Sequence, residues 1–135
     1  MRKIIYSRAD GGVSVVSVPV DSDEAITLAI GRLPADASTP LVVDESVIPT
    51  DRTFRNAWEK NDSGITVSMT KARNIQEVRI NEARRNKMRE LLERTELGEN
   101  LTTERAQIRA LDARSLVNAA TTIDELRVSM PEVLK

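Results

Sequence analysis

The sequence predicts an α+β fold, an N-terminal ββαβ unit followed by a C-terminal antiparallel helical hairpin. Three observations predict it. The first fifty residues hold short apolar runs separated by Gly and Pro turns, with one amphipathic segment between the second run and the third. Thr70 to Glu96 is free of Gly and Pro and dense in charge, the composition of one long helix. Beyond it, Ala106, Ala110, Ala113 and Val117 repeat at helical spacing, an Ala-rich seam that lets two helices approach closely.

Taken in order, Lys3-Ile4-Ile5-Tyr6 and Val13–Val18 are β-favouring runs joined by Arg8-Ala9-Asp10-Gly11-Gly12. Asp-Gly and Gly-Gly supply the positive φ of a tight turn, so 3–18 reads as a hairpin ended by Pro19. Asp21 and Glu24 have capping-box spacing, and Ala25, Ile26, Leu28, Ala29 and Leu33 follow as a short amphipathic helix closed by Gly31 and Pro34. Leu41-Val42-Val43 is the third strand, completing a unit over 1–50. Residues 51–69 read as an aromatic-bearing linker. Within it Phe54, Ala57 and Trp58 fit one face of a short helix or an extended segment with its aromatics packed down. Asn61–Gly64 is a turn, and Ile65-Thr66-Val67 fits a fourth strand.

The helical half spans 70–135. Ser68 or Thr70 caps the long helix, whose apolar positions are Ala72, Ile75, Val78, Ile80, Ala83, Met88, Leu91 and Leu92. Gly98 is placed to end it, Thr102 to start a second helix reaching to about 119, and Thr122-Ile-Asp-Glu125 to box a short last one before Pro131.

Composition narrows the function. The 135 residues are 40% hydrophobic and 30% charged, so the chain folds, yet it holds one Phe, one Trp and one Tyr. A core of small aliphatics is marginal, which favours oligomerisation. With neither Cys nor His, the chain has no thiolate, no imidazole base and none of the commonest metal ligands. A net charge of −1 disfavours bulk attraction to nucleic acid or anionic membrane. No long apolar run suggests a spanning segment or a leader, so a soluble protein made in the cytosol is expected. Residues 1–69 carry seven Lys/Arg against ten Asp/Glu, whereas 70–135 carry thirteen against eleven.

Candidate chemistry is thin. Ser68-x-x-Lys71 matches the acyl-enzyme pattern S-x-x-K but lacks the companion motifs, and Ser68 reads as a helix cap. Asp44-Glu45 with Asp51, and Asn61-Asp62-Ser63, do not meet calcium-loop spacing and read as solvated turns. No cofactor is implied. The run Arg84, Arg85, Lys87 and Arg89 could grip phosphates, but it spreads around the helix among Glu82, Glu90 and Glu93 without nearby aromatics. It reads as the polar rim of a protein interface. Because their spacing wanders around the cylinder, Ile80, Met88 and Leu91 are expected to be covered by another copy of the chain or by another protein. Phe54 and Trp58 are expected to knit the ββαβ unit to the long helix.

Three stretches carry a resemblance. They are Arg2–Val16, then Ile48–Glu59 leading into Met69–Ile75, and finally Ile108–Leu111 with Ala119–Leu126. Together they resemble a group of small, uncharacterised proteins of tailed phages and prophages associated with tail morphogenesis genes, over about three quarters of the chain. The chain departs from that group between its helices, where only Thr95–Leu101 connects them. The resemblance implies a tail-associated virion component or an assembly factor, present in the host cytoplasm during assembly, with other tail proteins and further copies of itself as partners. It carries over no catalytic residue. Together these observations favour a non-enzymatic protein acting by protein–protein contact, with a small nucleic-acid-binding regulator using Arg84–Arg89 as the alternative.

Overall fold

The computed structural model describes residues 1–135 and is mixed α+β. It comprises two compact units, Met1–Ser68 and Met69–Lys135, called here the sheet unit and the helical unit.

In the sheet unit, β1 (Arg2–Ser7) lies between β2 (Val13–Ser17) and β3 (Leu41–Asp44), antiparallel to both. The turn is as its glycines require. Gly11 has φ +84, Arg8 N donates to Gly12 O at 2.8 Å, and the Asp10 carboxylate accepts from Gly12 N at 2.8 Å. As the middle strand, β1 is covered on both faces. Ile5 clusters with Val13, Val43 and Trp58, while Ile4 clusters with Val18 and Ile26 of α1 (Asp23–Gly31). Adjacent residues of a strand point to opposite faces, so two neighbouring isoleucines serve two cores. The cap of α1 is Ser22, whose hydroxyl accepts from Ala25 N. The expected cap Asp21 is occupied instead by Arg2, at 2.7 Å.

The segment expected as a linker over 51–69 is a second hairpin of the same unit. A 3₁₀ turn at Arg55–Ala57 leads into β4 (Trp58–Asn61), which pairs with β5 (Gly64–Val67). Both readings of 50–64 are partly met, a single turn at Phe54–Ala57 and an extended strand from Trp58. Trp58, expected as a tie to the long helix, is 1% exposed and is a core residue of the sheet unit itself.

In the helical unit, α2 (Met69–Glu96) ends as Gly98 allows. Gly98 has φ +100, and Gly98 N and Glu99 N donate to the carbonyls of Thr95 and Arg94. This is the Schellman pattern. The expected partner helix over 102–119 is divided into α3 (Thr102–Arg109) and α4 (Ala113–Ala119), followed by α5 (Ile123–Arg127). Asp112 causes the division. With extended backbone it accepts from the amides of Arg114 and Ser115 and from the Ser115 hydroxyl, capping a new helix where the Ala spacing suggested continuity. The helical hairpin is thus replaced by one long rod carrying three short helices. The last box is offset by one residue. Thr122 accepts from Glu125 N as expected, but the Glu125 carboxylate reaches Thr121. No helix is long and apolar enough to cross a membrane.

Candidate protein-interaction surface

The long helix sorts its residues by azimuth. Ala72, Gln76, Ile80 and Leu91 form its buried line, spaced by about whole turns, and the short helices that pack on α2 bury Ile108, Ala113, Val117 and Leu126. Ile80 is 0% and Leu91 2% exposed. The expectation that another copy or another protein covers Ile80 and Leu91 is therefore corrected, since the chain buries both by itself. Three short helices, α3, α4 and α5, each pack on the rod where one partner was expected. Gln76 is the single buried polar side chain and was not singled out in the sequence. Its amide donates to Ser129 Oγ at 3.2 Å, and Ser129 donates on to Leu126 O at 2.7 Å.

Two arginines of the rod serve the ends of the short helices. Arg73 Nη2 donates to Ala120 O at 2.9 Å, just past α4, and Arg84 Nη2 donates to Arg109 O at 3.3 Å, at the last residue of α3. Terminal carbonyls of a helix lack an internal partner, and a guanidinium there meets both the hydrogen bond and the negative end of the dipole.

A cleft of about 320 Å³ opens beside Arg84, lined by Asn81, Arg84, Arg85, Met88, Leu92 and Arg109. One turn separates Asn81 from Arg85 and Met88 from Leu92, so α2 supplies five of the six lining residues from one flank. Met88 is half-buried and Leu92 is 43% exposed, giving the cleft an apolar floor between three guanidinium groups. Of the four basic candidates, Arg84 and Arg85 line this cleft. Lys87 instead reaches Glu90 at 3.4 Å, and Arg89 is exposed away from the lining. Glu90 also faces Arg94 at 4.0 Å, and Arg94 pairs with Glu99 at 2.8 Å, so the basic run is interleaved with carboxylates. Leu92 and Arg109 complete the cleft and were missed as site residues. The i, i+4 relation of Leu92 to Met88 was the available signal for the first, whereas Arg109 reaches the cleft only through the packing of α3.

No group of three or more carboxylates converges where it could hold a metal ion. Scans against protein-family models, curated proteins and solved structures return no significant match.

Proposed function

We propose that the protein is a non-enzymatic structural or assembly component of a phage tail, acting through protein–protein contact at the cleft between α2 and α3. The observation that carries the site is the exposed Leu92 beside Met88, ringed by Arg84, Arg85 and Arg109. An apolar centre with arginines around it is the composition of an interface hot spot, whereas phosphate tracking wants an unbroken basic face. Absence of His and Cys from the chain supports a role without catalysis. The tail context comes from the resemblance of Arg2–Val16, Ile48–Glu59 and the helical segments to the phage group. Partners are other tail proteins or further copies of this chain, met in the host cytoplasm and carried into the virion.

The test is the paired substitution Met88→Glu with Leu92→Glu. Both side chains reach solvent, so the variant keeps its helical spectrum while self-association and capture of tail proteins weaken by at least about tenfold. A folded variant with unchanged association would remove the cleft from the interface. A gel shift whose affinity falls steeply with salt, and which is lost in Arg85→Gln with Arg89→Gln, would favour the nucleic-acid reading instead.

A further inference from the structure

The sheet unit has an acidic balance, yet three of its arginines gather at one place. Arg55 Nη2 donates to Val13 O at 2.6 Å, and Arg8 Nη1 donates to the same oxygen at 3.4 Å. The Arg55 guanidinium carbon lies 4.3 Å from the centre of the Trp58 ring, and that of Arg52 lies 5.7 Å away. Like charges held together cost free energy unless something offsets them. Arg8 has Asp10 at 3.2 Å, and Asp36 lines a shallow cleft with it. Arg52 and Arg55 have no carboxylate in ion-pair range; the ring and one carbonyl hold them. At the far end of β1 the pattern is opposite, since Arg2 pairs with Asp21 and Asp23 at 2.7 and 2.8 Å. Burial pushes the Arg55 guanidinium below its ordinary range, and Arg52 and Arg8 push it further.

We propose that Arg52 and Arg55, with Arg8 as a third donor, form a binding site for a compact oxyanion of the phosphate class, free or carried on a small phosphomonoester. Guanidinium forks match the geometry of such oxygens and make short, charge-assisted bonds to them. The two unpaired guanidinium groups together match the charge of about −1.5 to −2 on a phosphomonoester, whereas one carboxylate would leave one of them uncompensated. Trp58 is 1% exposed and already covered, so it offers no face on which a nucleic-acid base could stack. Gly12 belongs to the site by being small. A Cβ there would collide with the Arg8 guanidinium, which folds back across the turn. The inference is independent of the cleft on the helical unit.

Trp58 is the sole tryptophan, so its emission reads the site directly. Inorganic phosphate titrated against the whole chain, with ionic strength held constant by sodium chloride, is expected to give a saturable change in emission. Arg52→Gln and Gly12→Ala should each weaken binding by about tenfold, the effect of losing a hydrogen bond to a charged group. Arg55→Gln should abolish it. Should that variant fail to fold, the other two decide, because Arg52 is exposed and Gly12 does not need a positive φ. Phenyl phosphate binding more tightly than phosphate would assign the site to a phosphomonoester; equal binding would assign it to the free ion. A change reproduced by chloride alone, or an affinity unmoved by both Arg52→Gln and Gly12→Ala, overturns the site. Oligo(dT) binding far more tightly than phosphate, with steep salt dependence, would replace the compact oxyanion with nucleic acid.

Discussion

The sheet unit and the helical unit bury their cores by different means. In the sheet unit Ile5, Val13, Val43 and Trp58 meet from four different strands, and all three aromatic residues lie there. The helical unit has no aromatic. Its core is Ile80, Leu91, Leu101, Ile108, Val117, Leu126 and Leu134, with three alanines and one buried amide. The sheet unit thus places large side chains at a few points where strands converge. The helical unit distributes small ones along a rod and lets short helices follow them. A chain this poor in aromatics can fold both ways, but only the first leaves a ring for arginines to stack on.

Two substitutions put the contrast under the greatest load. Ile80→Ala and Ile5→Ala each empty a fully buried site, and each should cost about 3 kcal/mol. In urea, Trp58 emission follows the sheet unit and ellipticity at 222 nm is dominated by α2. Ile80→Ala should move chiefly the ellipticity transition, and Ile5→Ala chiefly the emission. Coincident shifts in both variants would break the comparison by showing that the units unfold as one.

A smaller effect attaches to the buried amide. Gln76→Ala removes its bond to Ser129 Oγ along with part of its packing, and should cost about 1–2 kcal/mol in the ellipticity transition. Combined with Ser129→Ala, the two losses should fall short of additivity by up to about 1 kcal/mol. Strict additivity would mean that the amide is held by packing alone.

The smallest effect lies at acid pH and tests what the two units share. In the sheet unit the Arg2 guanidinium holds the Asp21 carboxyl below its ordinary range. In the helical unit hydrogen bonds from Ser115 do the same for Asp112, and from Thr121 for Glu125. Carboxyls with lowered folded pKa values contribute stability that is complete above their unfolded values, 3.8 for Asp and 4.5 for Glu, and is lost as pH falls through the folded ones. Without His, stability should be nearly flat from pH 5 to 7. Below about pH 4 it should decline in both transitions, and added salt should soften the part carried by ion pairs, Arg2–Asp21 in the sheet unit and Arg94–Glu99 in the helical unit.

Much of the fold was legible. Gly11, Gly98 and Thr122 mark their turn, stop and cap because each acts on backbone within a few residues of itself. Legibility failed where a local signal had competitors. Asp21 offered a cap, but Arg2 lies next to it in space and Ser22 caps instead. Asp112 was hidden inside an Ala repeat, although Asp is itself a favoured helix cap. Burial of Ile80 and Leu91 depended on three separate helices packing on α2, an arrangement the periodicity of α2 does not encode. Of the two candidate sites, Met88 with Arg84 and Arg85 was readable from helical spacing. The arginines on Trp58 were readable too, as Arg52, Arg55 and Trp58 at intervals of three, but Arg8 joins them only through the pairing of β1 with β2.

The central place of β1 bears on the order of events as the chain leaves the ribosome. Its first neighbour, β2, follows within one tight turn, but β3 begins only at Leu41, after α1 and a loop, and the covering Trp58 comes later still. A lone two-stranded hairpin is marginal in water. Ile4 can meet Val18 and Ile26 once α1 has emerged, but Ile5 waits, paired on one edge and short of Val43 and Trp58, until some forty further residues have emerged, whereas each short helix finds α2 already complete behind it. Slowing synthesis between Val18 and Leu41 would lengthen the exposure of the chain's most buried strand, and that interval is where a nascent-chain chaperone would have the most to hold.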